Sequence, residues 1–160
     1  MDMDRVMYIG RFQPFHRGHH HVVSDLRQEN ELIVGIGSSE KHGTEENPLR
    51  FFERYRVIRN CFPDLRVIAI PDRDDDRLWT GQILDKFEVD RAVSGEPVTR
   101  RCFRKADVGV EHPDYMNKEK YSGTHIRETA RKGGEWRDLV PDCSLEILRD
   151  IGFEQRVRTT

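Results

Sequence analysis

Four short runs rich in branched apolar residues recur along this chain: Val6–Ile9, Glu31–Gly37, Leu65–Ile70 and Val89–Ser94. Each ends at or just before glycine or proline, as interior strands of a parallel sheet do. The intervening stretches carry apolar residues at helical spacing. Val22, Val23 and Leu26 lie on one side of His19–Glu29, and Phe51, Phe52, Tyr55 and Ile58 recur after Pro48. Leu78–Leu84 and Pro97–Phe103 read as short helices, and Asp107–Glu111 as a fifth strand. Strand alternating with helix predicts an α/β fold, a Rossmann-like parallel sheet with helices on both faces. Ligands of such sheets bind beyond the carboxyl ends of the strands. A further helix is expected from Tyr121 to about Lys132, stopped by Gly133–Gly134, and a last one over Asp142–Asp150. The polar tail, Gln155–Thr160, is expected to be disordered.

At 160 residues the chain is expected to form one domain over 1–160. Its 27 basic and 29 acidic residues are mixed along the length, which leaves no basic stripe for nucleic acid. Cys61, Cys102 and Cys143 are odd in number and contain no C-x-x-C pair, so they read as reduced thiols rather than a disulfide framework or a structural zinc site. No apolar run is long enough for a membrane span and no secretory leader is visible, so a cytoplasmic location is expected.

The turn after the first strand, Ile9-Gly10-Arg11-Phe12-Gln13-Pro14-Phe15-His16-Arg17-Gly18-His19, carries the densest chemistry. Backbone N–H groups at a helix N-terminus, reinforced by the helix dipole, form an anion site. His16 and His19 stand in an H-x-G-H spacing. Two imidazoles there could donate to phosphate oxygens that gain charge in a transition state. A surface turn with solvated histidines accounts for the same residues. A metal held by His16 and His20 is a third reading, short of ligands.

A second phosphate-type cluster is Ser122-Gly123-Thr124-His125-Ile126-Arg127, where hydroxyls, N–H groups and a guanidinium could converge on one anion. An ordinary helix N-cap at Ser122 or Thr124 explains it equally well. Asp74, Asp75 and Asp76 read as a solvated acidic loop.

Together the two clusters resemble the signatures of the H-x-G-H nucleotidyltransferases, and most closely the archaeal type of nicotinamide-nucleotide adenylyltransferase. Ile36-Gly37-Ser38, Glu46-Asn47-Pro48, Leu78-Trp79-Thr80-Gly81 and Val93-Ser94-Gly95-Glu96-Pro97 fall in that family's order, so the likeness spans roughly residues 5–140. The resemblance implies that ATP and NMN give NAD and pyrophosphate, with Mg²⁺ on the ATP phosphates. It places His16, His19 and Arg11 at the reacting phosphates, and Gly10, Gly18, Ser122, Thr124 and Arg127 around the triphosphate. Trp79 would stack on the nicotinamide ring, and Asp72 would meet the NMN ribose. A buried tryptophan is also often simply core. No protein ligand set for a metal is implied. Relatives assemble as homo-oligomers, and those with a fused Nudix hydrolase are longer, so that second activity is not expected here. The Ser38–Thr44 loop departs from the family pattern and receives no catalytic residue. Two rivals remain: a sister enzyme acting on another phosphate such as phosphopantetheine, and a catalytically silent nucleotide-binding module.

Overall fold

A computed structural model describes residues 3–160. It contains five strands, β1 (Arg5–Gly10), β2 (Glu31–Gly37), β3 (Arg66–Ile70), β4 (Arg91–Ser94) and β5 (Gly109–Glu111). Four α-helices alternate with the strands as expected, α1 (Arg17–Glu29), α2 (Phe51–Cys61), α3 (Asp76–Leu84) and α4 (Pro97–Lys105), and three follow β5 in succession, α5 (Gly123–Arg131), α6 (Asp142–Asp150) and α7 (Phe153–Thr159). The strands form one parallel sheet in the order β3-β2-β1-β4-β5, the Rossmann-like arrangement expected.

The chain folds as two compact units. The first comprises residues 1–11, 23–39 and 65–114 and holds the whole sheet. Its core gathers Met7, Ile9, Ile33, Ile70, Ile83, Ala92 and Phe103. Burial of these branched and aromatic side chains drives the layer together, at roughly 1.5–3 kcal/mol for each large one. Gly35 in β2 is required by packing, because a Cβ there would lie 2.4 Å from Cδ1 of Ile70.

The second unit comprises residues 12–22, 40–64 and 115–160 and is built on helices. There α2 packs on α6, and α7 packs on α5 and α6. Trp136 and Phe153, both buried, meet with ring centroids 5.0 Å apart.

Four expectations fail in this second unit. The tail is helical from Phe153 to Thr159, because Phe153 and Val157, one turn apart, are fully buried; a single apolar pair in a polar run gives too little periodicity to see beforehand. The buried face of α2 is Arg54, Val57 and Ile58, whereas Phe52 is 76% exposed. Pro48 does not open that helix, since the backbone of Leu49 is held by Gln13 and α2 begins at Phe51. Finally, Cys61 and Cys143 are disulfide-bonded, with Cα atoms 5.1 Å apart, and only Cys102 remains a thiol. A sequence separation of 82 residues hid the pairing, which depends on α2 ending beside the start of α6. Asn60 marks the same junction, donating to the Cys143 carbonyl at 2.8 Å.

Candidate functional site

In the sheet-bearing unit, the carboxyl ends of β1 and β2 and the segments after β3 and β4 enclose a cavity of about 430 Å³. This is where ligands of parallel sheets are expected. Gly10 and Arg11 follow β1, Ser38 follows β2, and Asp72 follows β3. Ser38 takes a left-handed backbone (φ 45°) that brings its hydroxyl to both Asp72 carboxylate oxygens, at 3.0 and 3.2 Å. Arg11 lies 3.8 Å from Glu96, a half-exposed pair that a phosphate could compete for.

Trp79, on α3, lines the same cavity and meets Phe103 edge-on at 5.9 Å. The indole is half-buried, with Phe103 of the core on one side and the cavity on another. The acidic run before it is not merely solvated. Asp75 caps α3, its Oδ1 accepting from the N–H groups of Arg77 and Leu78 at 2.7 and 3.2 Å, and Asp76 lines the cavity. An aspartate is a favoured N-cap, but three in a row give no sign of which one caps.

In the second unit the two imidazoles of the H-x-G-H turn are tied to the backbone of the turn itself. The N–H groups of Gly18 and, more weakly, His19 donate to Nδ1 of His16, at 3.0 and 3.4 Å. The N–H of His16 in turn donates to Nδ1 of His19 at 3.1 Å. Each ring thus accepts at Nδ1, which places its proton on Nε2. Burial lowers the His16 pKa to about 3, and burial together with the neighbouring His16 holds His19 well below its ordinary value. The rings stack 3.6 Å apart at 23°, an arrangement suited to two neutral imidazoles. The outcome is a pair of neutral Nε2–H donors.

Gly18 is required here. A Cβ on it would lie 2.9 Å from Cε1 of His16 and 3.1 Å from Nδ1. Phe12 is buried in the left-handed region (φ 55°), a conformation that costs an aromatic residue about 1–3 kcal/mol, and its ring packs edge-on against His19 at 4.8 Å. His20 faces Phe62 at 4.8 Å, so the ring proposed for a shared metal is spent on packing. Among the described residues no group of three or more His, Cys, Asp or Glu is placed to hold a metal ion.

The second signature joins the first. Arg127 is buried and donates to the Gln13 carbonyl at 2.7 Å and to Oγ1 of Thr124 at 3.5 Å. Ser122 caps α5, accepting from His125 N–H at 3.1 Å, so its hydroxyl is also an ordinary cap. A Cβ on Gly123 would stand 2.7 Å from an Arg127 guanidinium nitrogen and 3.2 Å from the Gln13 carbonyl oxygen. Gly123, by lacking a side chain, and Gln13, by its carbonyl, seat Arg127. Thr124, Arg127, Glu45 and Glu46 line a cavity of about 230 Å³. Arg54, wholly buried, donates to the Lys41 carbonyl at 3.2 Å and so tethers the divergent loop; an arginine inside a helical apolar pattern carried no advance signal.

A cavity at the carboxyl edge of the parallel sheet is where ligands of Rossmann-like proteins bind, and the matching family model puts this chain in a nucleotidyltransferase class. The chain belongs to the cytidylyltransferase-like family, whose model matches residues 7–129, and within it to the nicotinamide-nucleotide adenylyltransferases. The adenylyltransferase of that name from Methanolobus tindarius is 34% identical across 98% of this chain and 94% of the relative. The enzyme from Saccharolobus solfataricus is 35% identical across 98% and 96%. The fold is shared with a bifunctional NMN adenylyltransferase/ADP ribose pyrophosphatase from Francisella tularensis, solved with AMP and a manganese ion, at a TM-score of 0.79 and 19% identity. The chain covers 51% of that protein. No described helix is long and apolar enough to cross a membrane.

Proposed function

We propose that this chain transfers AMP from ATP to nicotinamide mononucleotide (NMN), giving NAD and pyrophosphate. The observation that carries the mechanism is the pair of neutral Nε2–H donors at His16 and His19. An oxygen of the NMN phosphate attacks the α-phosphorus of ATP in line, and the bond to pyrophosphate breaks without a covalent intermediate on the protein. Such a reaction needs positioning and charge neutralisation more than a base.

Gly10 and Gly18 let the backbone approach the phosphates. His16 and His19 donate to them, with His19 on the α-phosphate, where charge gathers in the transition state. Ser122, Thr124 and Arg127 hold the β- and γ-phosphates, and Arg11 exchanges Glu96 for substrate phosphate. Trp79 stacks on the nicotinamide ring, whose positive charge suits an indole face, and Asp72 meets the ribose. Mg²⁺ arrives on ATP as part of the substrate, held mainly by phosphate and water. A homo-oligomeric assembly, checked by light scattering, and a cytoplasmic location, checked by cell fractionation, belong to the same reading.

The deciding assay offers ATP with NMN, nicotinate mononucleotide or phosphopantetheine and follows pyrophosphate. Release with a pyridine mononucleotide alone is expected. Release with phosphopantetheine alone points instead to a sister transferase, and no release with either pyridine mononucleotide overturns the proposal.

A further inference from the structure

Resting on the acceptor role of the sheet-bearing cavity, we propose that Asp76 selects the carboxamide mononucleotide against its carboxylate analogue. Asp76 and Trp79 are three residues apart on α3, which puts them on one face of that helix, and both line the cavity. The neutral polar side chains there are Ser38, whose hydroxyl donates to Asp72, Thr99 on α4 and the Cys102 thiol. The charged groups are Asp72, Asp76 and Glu96 against Arg11 and Arg73, so carboxylates outnumber guanidinium groups, three to two.

The arginines are also occupied. Arg11 faces Glu96, and Arg73 donates through Nε to Gln82 at 3.1 Å. Arg101 reaches Asp76 at 3.6 Å, but it is more than half exposed and lies outside the cavity lining. A carboxamide on a ring stacked at Trp79 can donate an N–H to the Asp76 carboxylate. A carboxylate in the same place has no proton to give and meets a like charge. Rejection by an unmet hydrogen bond and a repelled charge exceeds what shape alone supplies, because the two acceptors are nearly isosteric. The acidic wall also suits the positive pyridinium ring that both mononucleotides carry, so it is the substituent that separates them.

The test compares kcat/KM for NMN and nicotinate mononucleotide in wild type, Asp76→Asn and an Asp74→Asn control, the last being exposed and outside the cavity. Wild type is expected to favour NMN by tenfold or more, and Asp76→Asn to reduce that ratio at least tenfold, chiefly by gaining activity on the acid, with Asp74→Asn unchanged. Quenching of tryptophan fluorescence gives the affinity for each mononucleotide without ATP and should show the same shift. A wild-type preference for the acid, or a ratio unmoved in Asp76→Asn, overturns the selection by Asp76 while leaving adenylyl transfer standing. Pyrophosphate release with neither mononucleotide instead removes the acceptor reading and this inference with it.

Discussion

The N–H of His16 donates to Nδ1 of His19 at 3.1 Å, while Nδ1 of His16 accepts from the N–H of Gly18 at 3.0 Å. The two bonds interlock, so the tautomer of each ring is set by the backbone of the same short turn. Replacing His19 by alanine removes one preset donor and leaves the nucleotide's other contacts. The expected result is a kcat lowered by about 10² or more with ATP affinity nearly kept, the scale seen when one transition-state donor is lost. Steady-state kinetics with ATP titration checks it, and full activity in the variant would favour the silent-module reading.

The same interlock predicts how stability responds to acid. His16 titrates near 3 in the folded protein and near 6.5 when unfolded. Between those values the unfolded chain binds more protons, so stability falls as pH drops from 6.5 toward 3. At pH 5 the loss from this one group is about 2 kcal/mol by linkage. His16→Asn offers an amide oxygen in place of Nδ1 and does not titrate. Its melting temperature should therefore decline less between pH 7 and 5 than that of the wild type, as differential scanning calorimetry can measure.

Much of this was legible in the sequence, for identifiable reasons. The strands could be read because branched residues stop at glycine or proline, and β2 was found at its observed bounds, Glu31–Gly37. The ties among His16, Gly18 and His19 are local in sequence, and Arg127 reaches Gln13 from one signature to the other, so these residues stood out as motifs. The Cys61–Cys143 bond, the burial of Arg54 and the seat of α7 were not, since each depends on residues distant in sequence. The cavity role of Asp76 was hidden by its acidic neighbours, which share its chemistry but not its position.

Gly18→Ala tests whether space at the turn matters independently of the imidazoles. The added methyl would press on the His16 ring at 2.9 Å, and the ring cannot retreat without giving up the Gly18 and His19 amides. Overpacking of this kind costs about 1–3 kcal/mol. We expect a folded but less stable protein with kcat reduced tenfold or more; urea titration and kinetics on one preparation separate the two effects.

Gly123→Ala should copy an arginine defect while leaving Arg127 in the sequence. Its Cβ would displace the guanidinium from 2.7 Å, loosening the bond to the Gln13 carbonyl. The KM for ATP should rise about tenfold, as in Arg127→Lys, with the KM for NMN little changed. If the alanine variant keeps wild-type ATP binding while Arg127→Lys loses it, the glycine is not what seats the arginine.

The disulfide links the end of α2 to the start of α6 across 82 residues and touches none of the residues proposed to bind nucleotide. Its effect should therefore appear in stability rather than in turnover. In the chain-entropy picture, closing a loop of that length constrains the unfolded state by about 4.5 kcal/mol, which is an upper figure because unfolded chains retain structure. The folded junction keeps other ties, including the Asn60 bond to the Cys143 carbonyl and the Arg56–Asp150 ion pair at 2.6 Å. Cys143→Ser, or the wild type under a strong reductant, should melt several degrees lower, and at assay temperature kcat and both KM values should stay within twofold of the oxidised protein. A matching loss of activity below the melting transition would mean that the bond also positions the triphosphate site, and an unchanged melting temperature would mean that the bond does not form in solution.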